Sequence, residues 1–156
     1  MSPLLRVVIA IVASYGAGFF GYLFVDAQVS SWYAGLAKPL LTPSGLVFAI
    51  AWFILYGKMA AALAIVWTKQ PRAEHTEGWV RFFFVQLLFN AAFMMFFFGF
   101  HSTLVAFVDA LFLALIVFSL TASAADIDRR VVYLMTAYLL CILFVAYLTI
   151  GVWWLN

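Results

Sequence analysis

Along the chain, long apolar runs alternate with short polar breaks. Five runs, at about 4–25, 46–68, 79–100, 103–124 and 131–154, are each long enough to cross a bilayer as a helix. Such a helix needs roughly 20 apolar residues, since about 30 Å of hydrocarbon is crossed at 1.5 Å per residue. None of the runs alternates with period two, as a barrel strand would. In lipid every backbone polar group must be satisfied within the segment, so helices are expected throughout. The pattern predicts an all-α integral membrane protein, an antiparallel bundle of five transmembrane helices forming one domain over 1–156. The first run exceeds the apolar core of a signal peptide, so it is read as a retained span despite a loosely fitting Val25-Asp26-Ala27 stretch.

The breaks differ in character. The first, about 26–45, is long and holds Trp32, Tyr33, Lys38, Pro39 and Pro43. Prolines stiffen it and aromatics give it something to bury, so it reads as a folded lid. The second, 69–78, carries Pro71, Arg72 and His75 and reads as a solvated turn. Arg6, Lys69, Arg72, Arg81, Arg129 and Arg130 fall on one side of the expected bundle, with only Lys38 opposite. Basic residues stay in the cytoplasm, which predicts N-terminus inside and C-terminus outside a bacterial cell membrane.

Composition agrees with the pattern. Of 156 residues, 69% are hydrophobic and 9% charged, against about 25% charged in soluble domains. A formal charge of +2 is too small to point to nucleic acid, and one cysteine excludes a disulfide scaffold. Zinc or haem-iron ligation needs clustered donors, whereas His75, His101 and Cys141 are scattered, so no metal site is expected. A phosphate-binding glycine loop, a nucleophile elbow and a carboxylate pair are all missing. Nothing in the motifs calls for an enzyme or a resident cofactor. Five spans also do not divide into inverted halves, which weighs against an alternating-access transporter.

The polar residues inside the spans remain to be placed. A charge at mid-span costs roughly 2.5–3.5 kcal/mol on insertion scales. Lys58 lies near the middle of the second span and Asp109 in the outer half of the fourth, separated in depth by about 9 Å of helical rise. Either they pair, or Lys58 snorkels or meets a second subunit. Gln86, Asn90, Phe93 and Phe97 share one face of the third span. Buried amides there either join helices or line a cavity, and the pattern alone favours the first. Trp52, Tyr56 and Met59 form a stripe on the second span that reads as bundle core. Ser14, Ala17, Gly18 and Gly21 allow close helix approach on the first.

Several of these residues together resemble the TspO/MBR family, the tryptophan-rich sensory proteins related to the mitochondrial translocator protein. The resemblance runs through Trp32-Tyr33, Lys38-Pro39, Pro43, Trp52, Leu55-Tyr56, Met59, Gln86, Asn90, Phe97-Phe98-Gly99, Asp109, Tyr138 and Ala146-Tyr147-Leu148. It implies a dimeric five-helix bundle whose hydrophobic pocket, closed by the first loop, takes porphyrins, haem or similar ligands. Carried over position by position, the pocket comprises Tyr33, Pro43, Trp52, Asn90, Phe93 and Phe96, with Cys141 where the family often has tryptophan. Leu41, Leu46 and Phe93 also stand where tryptophan is common, and the basic residue of the animal sterol motif after Tyr147 is missing. The expectation is a receptor, sensor or carrier of tetrapyrrole-like molecules. The alternatives are a light- or oxidant-dependent porphyrin-degrading enzyme using Trp52, and an ion-coupled transporter using Lys58 and Asp109.

Overall fold

A computed structural model of the chain describes residues 1–25, 27–69 and 74–156. It is helical, with no strand among the described residues. Five helices have the length and apolarity of membrane spans. They are α1 (Pro3–Tyr22), α3 (Gly45–Lys69), α4 (Glu74–Met94, continued by a π-turn at Met95–Gly99), α5 (Thr103–Ser123) and α6 (Arg129–Leu155). A short helix, α2 (Ala27–Gly35), lies between the first two spans. The expected second loop shortens, because α4 starts at Glu74 and Gly78 lies inside it. Asp26, Pro71, Arg72 and the His75 side chain fall outside the described residues, so the expectations on them stay as stated.

Local chemistry sets the helix ends. Ser2 caps α1 by accepting from Leu5 N at 3.3 Å, and Pro3 occupies the first turn, where its missing N–H costs nothing. Asp128 caps α6 by accepting from Arg130 N at 2.8 Å. The same carboxylate pairs with Lys69 at 2.8 Å and Arg130 at 2.9 Å, so one acid ties the end of α3 to the start of α6. These two bases, Arg130 first, hold the Asp128 carboxyl well below the usual carboxylate range. At the same end, Arg6 donates to Trp67 O at 2.8 Å and the Trp79 indole to Leu120 O at 2.9 Å. Arg6, Lys69 and Arg130, all from the basic-rich side expected from sequence, thus meet at one end of the molecule.

The core between the spans is built from Met59, Leu63, Phe83, Met135 and Tyr138, all fully buried. A second cluster around Phe93, Phe97, Ala106 and Ala146 fills the other end. Val12, Phe19, Phe53, Leu88, Leu115 and Phe118 point outward. Such outward leucines and phenylalanines are what a hydrocarbon solvent permits.

The lid docks on the second cluster. Trp32 stacks on the His101 imidazole, with centroids 4.1 Å apart and planes 14° from parallel. His101 turns the chain from the π-turn into α5 at a positive φ of 53°. Tyr33 meets Phe97 and Phe98 edge-on at 6.1 and 5.8 Å, with Lys38 Nζ 4.7 Å from its ring centroid. Burial pushes the Tyr33 phenol up from its ordinary pKa. Asn156 brackets Ala37, accepting from its N–H and donating to its C=O, both at 3.0 Å. Tyr147 donates to Leu40 O at 3.1 Å, and Pro39 packs where Gly151 leaves room.

Candidate functional site

The charged residues of the spans do not make the site. Lys58 and Asp109 form no ion pair: the ion pairs among the described residues are Lys69–Asp128, Arg81–Glu77 and Arg130–Asp128. Lys58 is half-buried on α3, while Asp109 is 6% exposed and its Oδ2 has no protein partner. The two helices do not bring those side chains together. Of the two readings of Lys58 left open by the sequence, the pair with Asp109 is not formed.

The site is instead a cavity of about 590 Å³ among the spans. This is within the roughly 300–1,000 Å³ of small-molecule pockets. Its walls are apolar apart from a few polar atoms. From α3 come Phe48, Ala49, Trp52, Phe53 and Tyr56; from α4 and its π-turn, Asn90, Phe93, Met94 and Phe98. Ala110 and Leu113 of α5 and Ile142 and Val145 of α6 close the back. The remaining wall is α1, with Tyr15, Gly18, Phe19 and Tyr22. Phe19, Tyr22 and Phe53 are also exposed, so the cavity reaches the outer surface on the α1–α3 side.

Glycines on α1 make this shape. A Cβ at Gly18 would overlap the Tyr56 ring, and one at Gly21 would lie 2.8 Å from Met94 Cγ. Tyr56 and Met94 can therefore lie flat against the α1 backbone. The Tyr15 hydroxyl donates across to Phe53 O at 3.2 Å and fixes the same helix pair.

Four polar side chains run inward from the cavity wall. Tyr56 donates to Asn90 Oδ1 at 2.7 Å, Asn90 Nδ2 to the Tyr138 oxygen at 3.0 Å, and Tyr138 to Gln86 Oε1 at 2.9 Å. Asn90 is 3% exposed, and Tyr138 and Gln86 are fully buried. The chain therefore starts in the cavity and ends in the core. It joins α3, α4 and α6, so the amide face of α4 both glues helices and lines the cavity. Trp52 packs beside it, 5.6 Å from Tyr56 and 6.3 Å from Tyr138 by ring centroids.

Of the residues chosen from sequence, Trp52, Asn90 and Phe93 line the cavity. Tyr33, Pro43, Phe96 and Cys141 do not. Tyr33 is one ring removed, packed on the lining Phe98. Phe96 turns toward Phe100, and Cys141 packs half-buried against the core beside the lining Ile142. Sequence reasoning missed Tyr56, placed in a core stripe, and the whole α1 wall. The small residues of α1 did signal a close approach, though not that a cavity would border it.

This cavity can hold a flat hydrophobic molecule among aromatic faces and offer it a hydroxyl, an amide and an indole. A model of the TspO/MBR family matches residues 8–155. The chain belongs to the TspO/MBR family. Among TspO/MBR relatives, the Tryptophan-rich protein TspO of Archaeoglobus fulgidus is 32% identical over 157 residues, covering 98% of each chain. The proteins of the same description from Bacillus cereus and Chlorobaculum tepidum are each 28% identical, covering 88% and 98% of this chain and 91% and 97% of their own. TspO/MBR membership and five apolar helices make the chain a multi-pass membrane protein of the TspO sensor type.

Proposed function

We propose that the protein binds a tetrapyrrole, such as porphyrin or haem, or a similar flat hydrophobic molecule in this cavity, and acts as its receptor or carrier. The observation that carries the reading is the cavity itself: about 590 Å³, aromatic on several sides, with Asn90 held at its wall. Trp52 and Phe93 stack on the ligand and the Asn90–Tyr56 pair orients it. The lid gates the site through Tyr33 and Phe98, since a shift of α2 moves a ring of the cavity wall. The basic cluster of Arg6, Lys69 and Arg130 supports a cytoplasmic N-terminus and an up-and-down course of the five spans. Two copies pack as a homodimer in the membrane.

The experiment is a titration of the detergent-solubilised protein with protoporphyrin, followed by tryptophan quenching and porphyrin absorbance together. Saturable binding, weakened about tenfold or more by Asn90→Ala and by Trp52→Phe, is the expected result. Equal binding by all three proteins would exclude the cavity. A porphyrin band that stays constant under illumination fits a receptor, and one that bleaches only with active protein would favour degradation instead.

A further inference from the structure

The polar chain behind the cavity has a direction, and that direction decides what the cavity offers a ligand. As described, each proton points inward, from Tyr56 to Asn90, then Tyr138, then Gln86. At Tyr56 the cavity therefore meets lone pairs and no proton. The cost appears at the far end. Gln86 is fully buried and its Nε2 has no partner.

The same four side chains can run the other way. Turning both amides end for end and rotating both hydroxyls keeps every heavy-atom position and reverses each donor. Gln86 then donates to Tyr138, Tyr138 to Asn90, and Asn90 to Tyr56, whose own proton is freed toward the cavity. The unpaired group at the far end becomes a carbonyl oxygen, which buried structure tolerates better than an unpaired N–H. The two senses use the same three contacts and differ in which group is left unpaired at Gln86 and which face Tyr56 turns to the cavity. A hydrogen-bonding ligand at Tyr56 therefore biases the choice between them.

We propose that Gln86 and Tyr138 are positioning residues that set the direction of this chain, and that the ligand group read at Tyr56 is a hydrogen-bond acceptor, a carboxylate or carbonyl. The inference rests on the ligand reading above and specifies which part of the molecule is recognised. It also makes the chain a transmitter, because an acceptor bound at Tyr56 reorients the amide of Gln86 in the core. Tyr56 touches the ligand; Asn90, Tyr138 and Gln86 act through it.

Gln86→Met gives the sharpest test. Without Gln86, the partner that Tyr138 keeps in this chain is Asn90, and giving its proton to Asn90 Oδ1 sets the chain in the outward sense. The probes are protoporphyrin, which carries two propionates, and etioporphyrin, which carries only alkyl groups. In the wild type, protoporphyrin binds about tenfold more tightly, the scale of one hydrogen bond to a charged acceptor. Gln86→Met raises that preference about threefold further while etioporphyrin affinity changes little, and Tyr56→Phe abolishes the preference. A merely structural role for Gln86 would weaken both porphyrins together, and that result overturns the inference. Equal affinity of the wild type for the two porphyrins also overturns it and leaves the cavity reading intact. If neither porphyrin binds saturably, the ligand reading falls and this inference with it.

Discussion

Tyr56 shows how one side chain can serve packing and recognition at once. Its ring lies on the Gly18 backbone of α1, and its hydroxyl opens the chain that ends at Gln86. Interhelical hydrogen bonds in membranes are worth about 0.6 kcal/mol on average. Tyr56→Phe removes one link and Tyr138→Phe removes two. Thermal unfolding in detergent should therefore show a loss of about 0.6 kcal/mol for the first and about 1.2 kcal/mol for the second. The reverse order would mean that Tyr138 is not bonded on both sides. Sequence alone could see the amides, because Gln86 and Asn90 are rare polar groups on an apolar face. It could not see the tyrosines as their partners, because Tyr56 at helical spacing from Trp52 looks the same whether its hydroxyl faces core or cavity.

At the scale of elements, the five spans were legible because hydrocarbon admits so few solutions, and their edges agree with the helices to within a few residues. Three features were not. The lid reads as aromatic and stiff, and no hydropathy pattern marks α2 within it. The π-turn at Met95–Gly99 changes which phenylalanines face inward, so Phe98 reaches the cavity and Phe96 turns away. One extra residue in a turn leaves apolarity unchanged and shifts every face after it. The cavity wall on α1 depends on absent side chains, and glycine spacing speaks of packing without naming what packs. Gly18→Ala tests this wall. Its Cβ must displace the Tyr56 ring, which should cost about 1–3 kcal/mol and loosen ligand binding. Gly16→Ala, with nothing within 4 Å of the added carbon, should be neutral or stabilising by up to about 1 kcal/mol through helix propensity. Equal effects of the two substitutions on unfolding would contradict the close approach of α1 to Tyr56.

For the whole molecule, two sets of contacts bind the ends of the helices. At one end Asp128 joins α3 and α6 through Lys69 and Arg130, and at the other the lid is held by Asn156, Tyr147 and His101. Asp128 has a depressed carboxyl pKa in the folded protein, so its contribution to stability is present above the unfolded value of about 4 and is lost as pH falls toward the folded one. The melting temperature should accordingly drop below about pH 4. Asp128→Asn should melt lower at neutral pH and show a shallower acid decline, and an unchanged acid profile would remove Asp128 from the account. Between these two ends lies the cavity, and the central claim is that it is where the ligand sits. Filling it is the most direct test. Ala49 lines the cavity from an exposed position on α3, where a larger side chain does not crowd the core. Protoporphyrin titration of Ala49→Phe beside the wild type should show unchanged melting and affinity lowered tenfold or more. Binding by the filled protein with wild-type affinity and stoichiometry would place the ligand elsewhere.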